Sequence, residues 1–186
     1  MGNMVRFPRE QYASLELNQV AFPKTGMVVS QTPLGSEFTA QAPCENGMWV
    51  LADKSKGVIA SAAAVTDTPI GIVYTAEKEY DYMHYGLKTF GRKIEGDYPR
   101  VGILGLGDTV TSNCFQYDDA DFATADDLYT ALAAFATTPV YVALVAGSPV
   151  PKLTTSKPGF GIYGKVTKFY TMPNGEKGVK YQIVSL

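Results

Sequence analysis

Histidine occurs once in 186 residues, at His84, and cysteine twice, at Cys44 and Cys114. Each scarcity removes a class of chemistry. A zinc centre needs three or four clustered ligands; the two thiols lie far from His84 in sequence and form no C-x-x-C. A nucleophilic enzyme needs a base within hydrogen-bond reach, and a single histidine is present to act as the usual one. Ser36 and Ser148 each follow a glycine but lack the second glycine of a G-x-S-x-G elbow. Two cysteines are no disulfide framework, and they read as free thiols of a reducing cytoplasm. No apolar run reaches the ~18 residues of a membrane span. The first residues lack the apolar core of a signal peptide, and Arg6 stands where a myristoylation start has Ser or Thr. Net charge is −2 and the pI near 5.4. Basic residues are scattered, with one small cluster at Lys88, Arg92 and Lys93, so the footprint of a nucleic-acid binder is missing.

Two stretches imitate ligand motifs and fail on spacing. Gly102-Ile-Leu-Gly105-Leu-Gly107 has the order G-x-x-G-x-G, where a dinucleotide loop has G-x-G-x-x-G and a following helix, so it reads as a glycine-rich β-turn. Asp118, Asp119, Asp121, Asp126 and Asp127 suggest calcium, but counting from Asp118 an EF-hand's glycine position is Ala123 and its glutamate position Tyr129. There is no P-loop. The expectation is a non-enzymatic chain with no catalytic residue, no cofactor, no metal, and neither nucleic acid nor membrane as partner.

What the sequence does contain is β-structure. Gly47-Met-Trp-Val-Leu-Ala-Asp53, Val58-Ile-Ala-Ser-Ala62 and Pro69-Ile-Gly-Ile-Val-Tyr-Thr75 are rich in residues that fit a pleated, half-buried surface, with a polar turn at Lys54 to Gly57. Arg100 to Leu104, Thr109 to Tyr117 and Val140 to Val145 are further strand candidates. Gly147 to Pro158 reads as a Pro- and Ser/Thr-rich loop. Tyr163 to Thr171 and Val179 to Val184 flank Pro173-Asn174-Gly175, a hairpin signal. One helix is expected, at about 124–136. Thr124 and Asp127 form a capping-box variant, and Leu128, Leu132 and Phe135 make an apolar stripe. The fold class is mainly β (α+β): a compact barrel- or sandwich-like domain over 43–186, with a C-terminal hairpin in 160–186 and an extended N-terminal arm over 1–42.

That arm is punctuated by Pro23 and Pro33 and followed by Pro43, and proline biases its neighbours towards extended conformations. Gln11 to Leu17 has the makings of a turn of helix, and Met27 to Ser30 of a strand. Phe22, Met27 and Phe38 are among its apolar side chains. They would be buried either against a neighbouring molecule or against the arm's own domain. Residues 77–99 mix charges with Tyr80, Tyr82 and Tyr85 and are punctuated by Gly86, Gly91 and Gly96. Tyrosine supplies contact area at low entropic cost, so these three are interface candidates.

Trp49-Val-Leu-Ala-Asp53, the glycine turn after it, the Ala-rich Ile59 to Ala64, Thr68-Pro69-Ile-Gly-Ile-Val73 and the later Gly107-Asp108-Thr-Val110 together resemble the small β-rich decoration, or cement, proteins on the heads of tailed bacteriophages. The likeness is one of pattern over about a third of the chain and includes neither the hairpin nor residues 77–99. It implies a virion protein at the capsid surface, made in the host cytoplasm. Such a protein would stabilise the head by bridging subunits, with the major capsid protein and copies of itself, as a homo-trimer, for partners. Phe22, Met27, Phe38, Tyr80, Tyr82 and Tyr85 would be its contact residues. Tail and head-fibre parts share the style. A rival class is a module binding carbohydrate or a host receptor through Trp49, Tyr80, Tyr82 and Tyr85.

Overall fold

One continuous stretch, residues 109–118, runs from one edge of the larger sheet almost to the other. The computed structural model describes residues 3–9, 12–16, 20–21, 26–29, 31–75 and 93–186. Its strands are β1 (Met4–Arg6), β2 (Val28–Val29), β3 (Trp49–Leu51), β4 (Ile70–Val73), β5 (Val101–Ile103), β6 (Thr109–Ser112), β7 (Gln116–Asp118), β8 (Tyr141–Val145), β9 (Ser148–Thr154), β10 (Tyr163–Thr171) and β11 (Lys177–Ser185). The larger sheet has the order β1-β7-β9-β8-β10-β11-β6, the smaller β2-β5-β4-β3. Laid flat, five strand spacings would hold β6 and β7 about 24 Å apart. The link Asn113–Phe115 lets them separate by at most about 14 Å. The larger sheet must therefore curl towards a barrel. The domain is mainly β with one α-helix among the described residues, as the sequence implies.

The N-terminal residues fasten this curl. Asp119 N–H donates to Asn3 O (3.0 Å), Phe7 N–H to Phe115 O (2.9 Å), Asn113 N–H to Ser14 O (3.2 Å), Glu16 N–H to Thr111 O (3.0 Å) and Ala21 N–H to Thr109 O (2.9 Å). The described parts of residues 3–21 thus form an antiparallel strap along 109–119. Of the two resting places open to the arm from sequence, these residues occupy the one on their own domain. The helical turn expected near Gln11 to Leu17 is not seen in Tyr12–Glu16. Leu15 pairs with Ser112 instead, an edge pairing that outweighs the weak propensity of five residues.

Strands β3, β4 and β5 of the smaller sheet are buried on both faces. Trp49, Leu51, Ile70 and Ile72 join the main core with Phe115, Tyr181, Leu128 and Leu132. Val50, Val73, Val101 and Ile103 turn the other way, onto Leu34, Phe38, Cys44 and Ile59. Burial on both sides explains why these strands read as nearly unbroken apolar runs. The Ala-rich stretch after Gly57 is less regular than expected: it contributes only bridges, Ile59 to Leu34 and Ala60 to Leu51. Lys54–Lys56 forms a 3-10 turn.

The helix α1 (Ala125–Ala133) starts as expected. Asp127 N–H donates to Thr124 Oγ1 and Thr124 N–H to Asp127 Oδ2. It ends before 136 because the chain tightens: Thr137 N–H and Ala134 N–H both take i−3 carbonyls. The hairpin β10–β11 pairs Tyr163 with Ser185 through Thr171 with Lys177, and Gly175 takes φ +88° in its turn. The loop expected at 147–158 is largely wrong: Ser148–Thr154 is β9, an inner strand between β7 and β8. Its prolines, Pro149 and Pro151, fall where the β8–β9 register shifts between Ser148 and Lys152, so the missing N–H groups leave no gap in a regular ladder.

Candidate functional site

A cleft of about 510 Å³ opens between the strap, the segment before β3 and the start of β9. Arg6 reaches it from β1 and Arg9 from the strap just after β1. Glu37, Gln41 and Glu45 come from the segment before β3, Gln116 from β7, and Ser148 from the start of β9. Glu45 is its fixed point. Its side chain is 6% exposed, and its Oε2 takes Arg6 Nη2 at 3.1 Å, Arg9 Nη2 at 2.8 Å and the Ala13 N–H at 3.4 Å. A buried carboxylate is tolerated when paired and hydrogen-bonded. Gln116 donates from Nε2 to Ser148 Oγ (3.0 Å) and Val150 O (2.6 Å). Glu37 accepts the Ser61 N–H on Oε1. Sequence reasoning passed over Arg6, Arg9 and Glu45 because no motif links them; they meet only through the folding of the strap.

Behind the cleft lie Cys44 and Cys114, both fully buried and both free thiols, as expected from their number. Burial, with the nearby Cys114 and then Glu45 adding to it, pushes the Cys44 thiol well above its ordinary value. Burial likewise pushes Cys114 up to about 12, the Arg6 charge opposing it. A thiol is nucleophilic as thiolate, so these two are inert core groups at neutral pH.

The residues singled out in the sequence scatter. Trp49 is wholly buried, and its indole N–H is spent on Tyr181. It therefore offers no face to a ligand, against the rival reading that used it. Phe38, expected as a contact residue, is 2% exposed and packs within its own chain's second core. Met27 is 60% exposed beside β2. Phe22, Tyr80, Tyr82, Tyr85 and His84 lie outside the described residues. The acidic run has local tasks: Asp118 and Asp121 pair with Lys152 at 3.5 and 3.0 Å, Asp119 accepts from Asn3 N–H, and Asp127 caps α1. The Ala120 N–H, followed by Lys152, holds the Asp118 carboxyl below its ordinary value. Among the described residues no three His, Cys, Asp or Glu side chains are grouped to hold a metal ion. The glycine-rich stretch is a turn between β5 and β6, where Asp108 Oδ2 accepts the Gly105 N–H at 2.7 Å.

Comparison of the chain with family models, with curated proteins and with solved structures gave no match.

Proposed function

We propose that this chain is a structural, non-enzymatic virion protein that decorates a bacteriophage head. It would act as a homo-trimer on the outer surface and stabilise the capsid by bridging neighbouring copies of the major capsid protein. The observation that carries the reading is where each sheet ends. One edge of the larger sheet is β1 and one edge of the smaller is β2, both from the first 42 residues. Both end strands expose apolar side chains: Met4 and Val5 on β1, Val28 on β2, with Met27 beside it. A terminal strand with apolar side chains is a template for pairing with another chain. Two such edges on one small domain suit a protein that bridges. Phe22, Tyr80, Tyr82 and Tyr85 extend the contact in this reading.

The test is co-sedimentation of purified protein with heads assembled without it. Wild-type protein is expected to saturate the heads at micromolar concentration. Met4→Glu with Met27→Glu, both at exposed positions, is expected to lower occupancy tenfold or more while the melting temperature holds. Heads that fail to retain the wild type, or that retain the double variant equally well, overturn the proposal.

A further inference from the structure

We propose that the cleft around Arg6, Glu37, Gln41, Gln116 and Ser148 binds a neutral saccharide of two or three sugar units. The inference does not depend on a role at a capsid. It starts from charge. Among the described residues of the lining, the ionised groups are Arg6 and Arg9 against Glu37 and Glu45, and they cancel. An ion of either sign gains little from such a lining. A sugar hydroxyl donates one hydrogen bond and accepts two, so it matches a wall that alternates donors with acceptors.

The wall alternates in this way. Arg6 has Nη2 on Glu45 and a side chain 40% exposed, which leaves the outer part of its guanidinium to donate. Ser61 N–H engages Glu37 through Oε1, so Oε2 remains an acceptor. Both donors of the Gln116 amide nitrogen are directed inward, to Ser148 Oγ and Val150 O, which leaves Oε1 as the atom it can offer. Ser148 Oγ accepts from Gln116 and from Val150 N–H (3.3 Å), so its own hydrogen is left to donate. Gln41 is exposed and offers both functions. Pro149, which is partly exposed, supplies apolar wall for the C–H face of a ring. Arg6, Glu37, Gln116 and Ser148 are held in place by bonds within the protein, which lowers the ordering cost of binding. The volume of about 510 Å³ falls inside the range of small-molecule sites, roughly 300–1,000 Å³.

The experiment applies the full-length protein, labelled on lysine (among the described residues no lysine lines the cleft), to a printed array. One arm carries neutral oligosaccharides of two to four units from bacterial and host surfaces. The others carry sialylated, sulfated and phosphorylated oligosaccharides, and amines. Capture on neutral spots is expected. Glu37→Ala and Gln41→Ala, both at exposed positions, are each expected to weaken that capture at least tenfold with the melting temperature unchanged. Capture on no neutral spot, capture on the anionic arms alone, or neutral capture that survives both substitutions overturns the assignment.

Discussion

Trp49 Nε1 donates a hydrogen bond to Tyr181 Oη at 3.0 Å, across 132 residues of sequence, and both side chains are fully buried. Their rings lie 5.9 Å apart. The bond joins β3 of the smaller sheet to β11 of the larger one. Leaving a buried donor unsatisfied costs roughly 1–3 kcal/mol. Tyr181→Phe is therefore expected to destabilise by about 2 kcal/mol. Trp49→Phe is expected to cost more, because it also leaves a cavity. The double variant is expected to fall short of the sum by about 1 kcal/mol, the signature of a shared bond. Urea titration of the four proteins measures this.

Glu45 ties the strap down through Arg6, Arg9 and the Ala13 N–H. Removing one member of a wholly buried pair costs roughly 3–5 kcal/mol. Arg6 is substantially solvated, and screening discounts its share. Glu45→Ala is expected to cost about 2–3 kcal/mol, less than a wholly buried pair. Amide exchange is expected to speed up first in residues 3–16 and at their partners in 109–119. Uniform acceleration over the whole domain would show that the strap is not a separate unit.

Gly161 takes φ +79°, and a Cβ there would run into the carbonyl oxygen of Val65. A strained left-handed residue costs of order 1–3 kcal/mol, and the backbone collision adds to it. Gly161→Ala is expected to lower the melting temperature clearly. Gly159→Ala, two residues away with open space at its Cβ, is expected to be nearly silent.

The buried thiols set an alkaline limit. Cys114 holds its proton in the fold to about pH 12, whereas an unfolded thiol releases it near 8.5. Cys44 is raised in the same direction, as is Tyr181, whose burial outweighs the bond from Trp49. Above the unfolded values the unfolded chain binds fewer protons than the folded one, so stability falls as pH rises. The contribution is intact below about pH 8.5 and is lost progressively towards the folded values. Stability measured from pH 7 to 11 is expected to decline, with a shallower slope in Cys114→Ala. Neither thiol of the native protein is expected to react with a thiol reagent at pH 7.

The elements legible in the sequence are those whose signal is local. The capping pair Thr124 and Asp127, the stripe of Leu128 and Leu132, and the Pro173-Asn174-Gly175 turn each act within a few residues, and each stands in the structure. What was not legible depends on partners far away. Ser148–Thr154 looks like a loop because it carries two prolines, and only the shifted register on β8 makes it a strand. The same holds for the cleft, where Arg6 and Glu45 meet across 39 residues with no spacing to announce them. Trp49 looked available as a ligand face because a lone tryptophan carries no mark of burial; Tyr181, 132 residues on, decides it.

Cryo-electron microscopy of phage heads assembled with and without the chain tests the capsid role most directly. Three-fold-symmetric density of matching size is expected on the outer surface of the first heads, with β1 and β2 facing neighbouring subunits. Those heads are also expected to withstand more heat than the second. Identical outer surfaces, or density inside the shell, would leave the decoration reading without support.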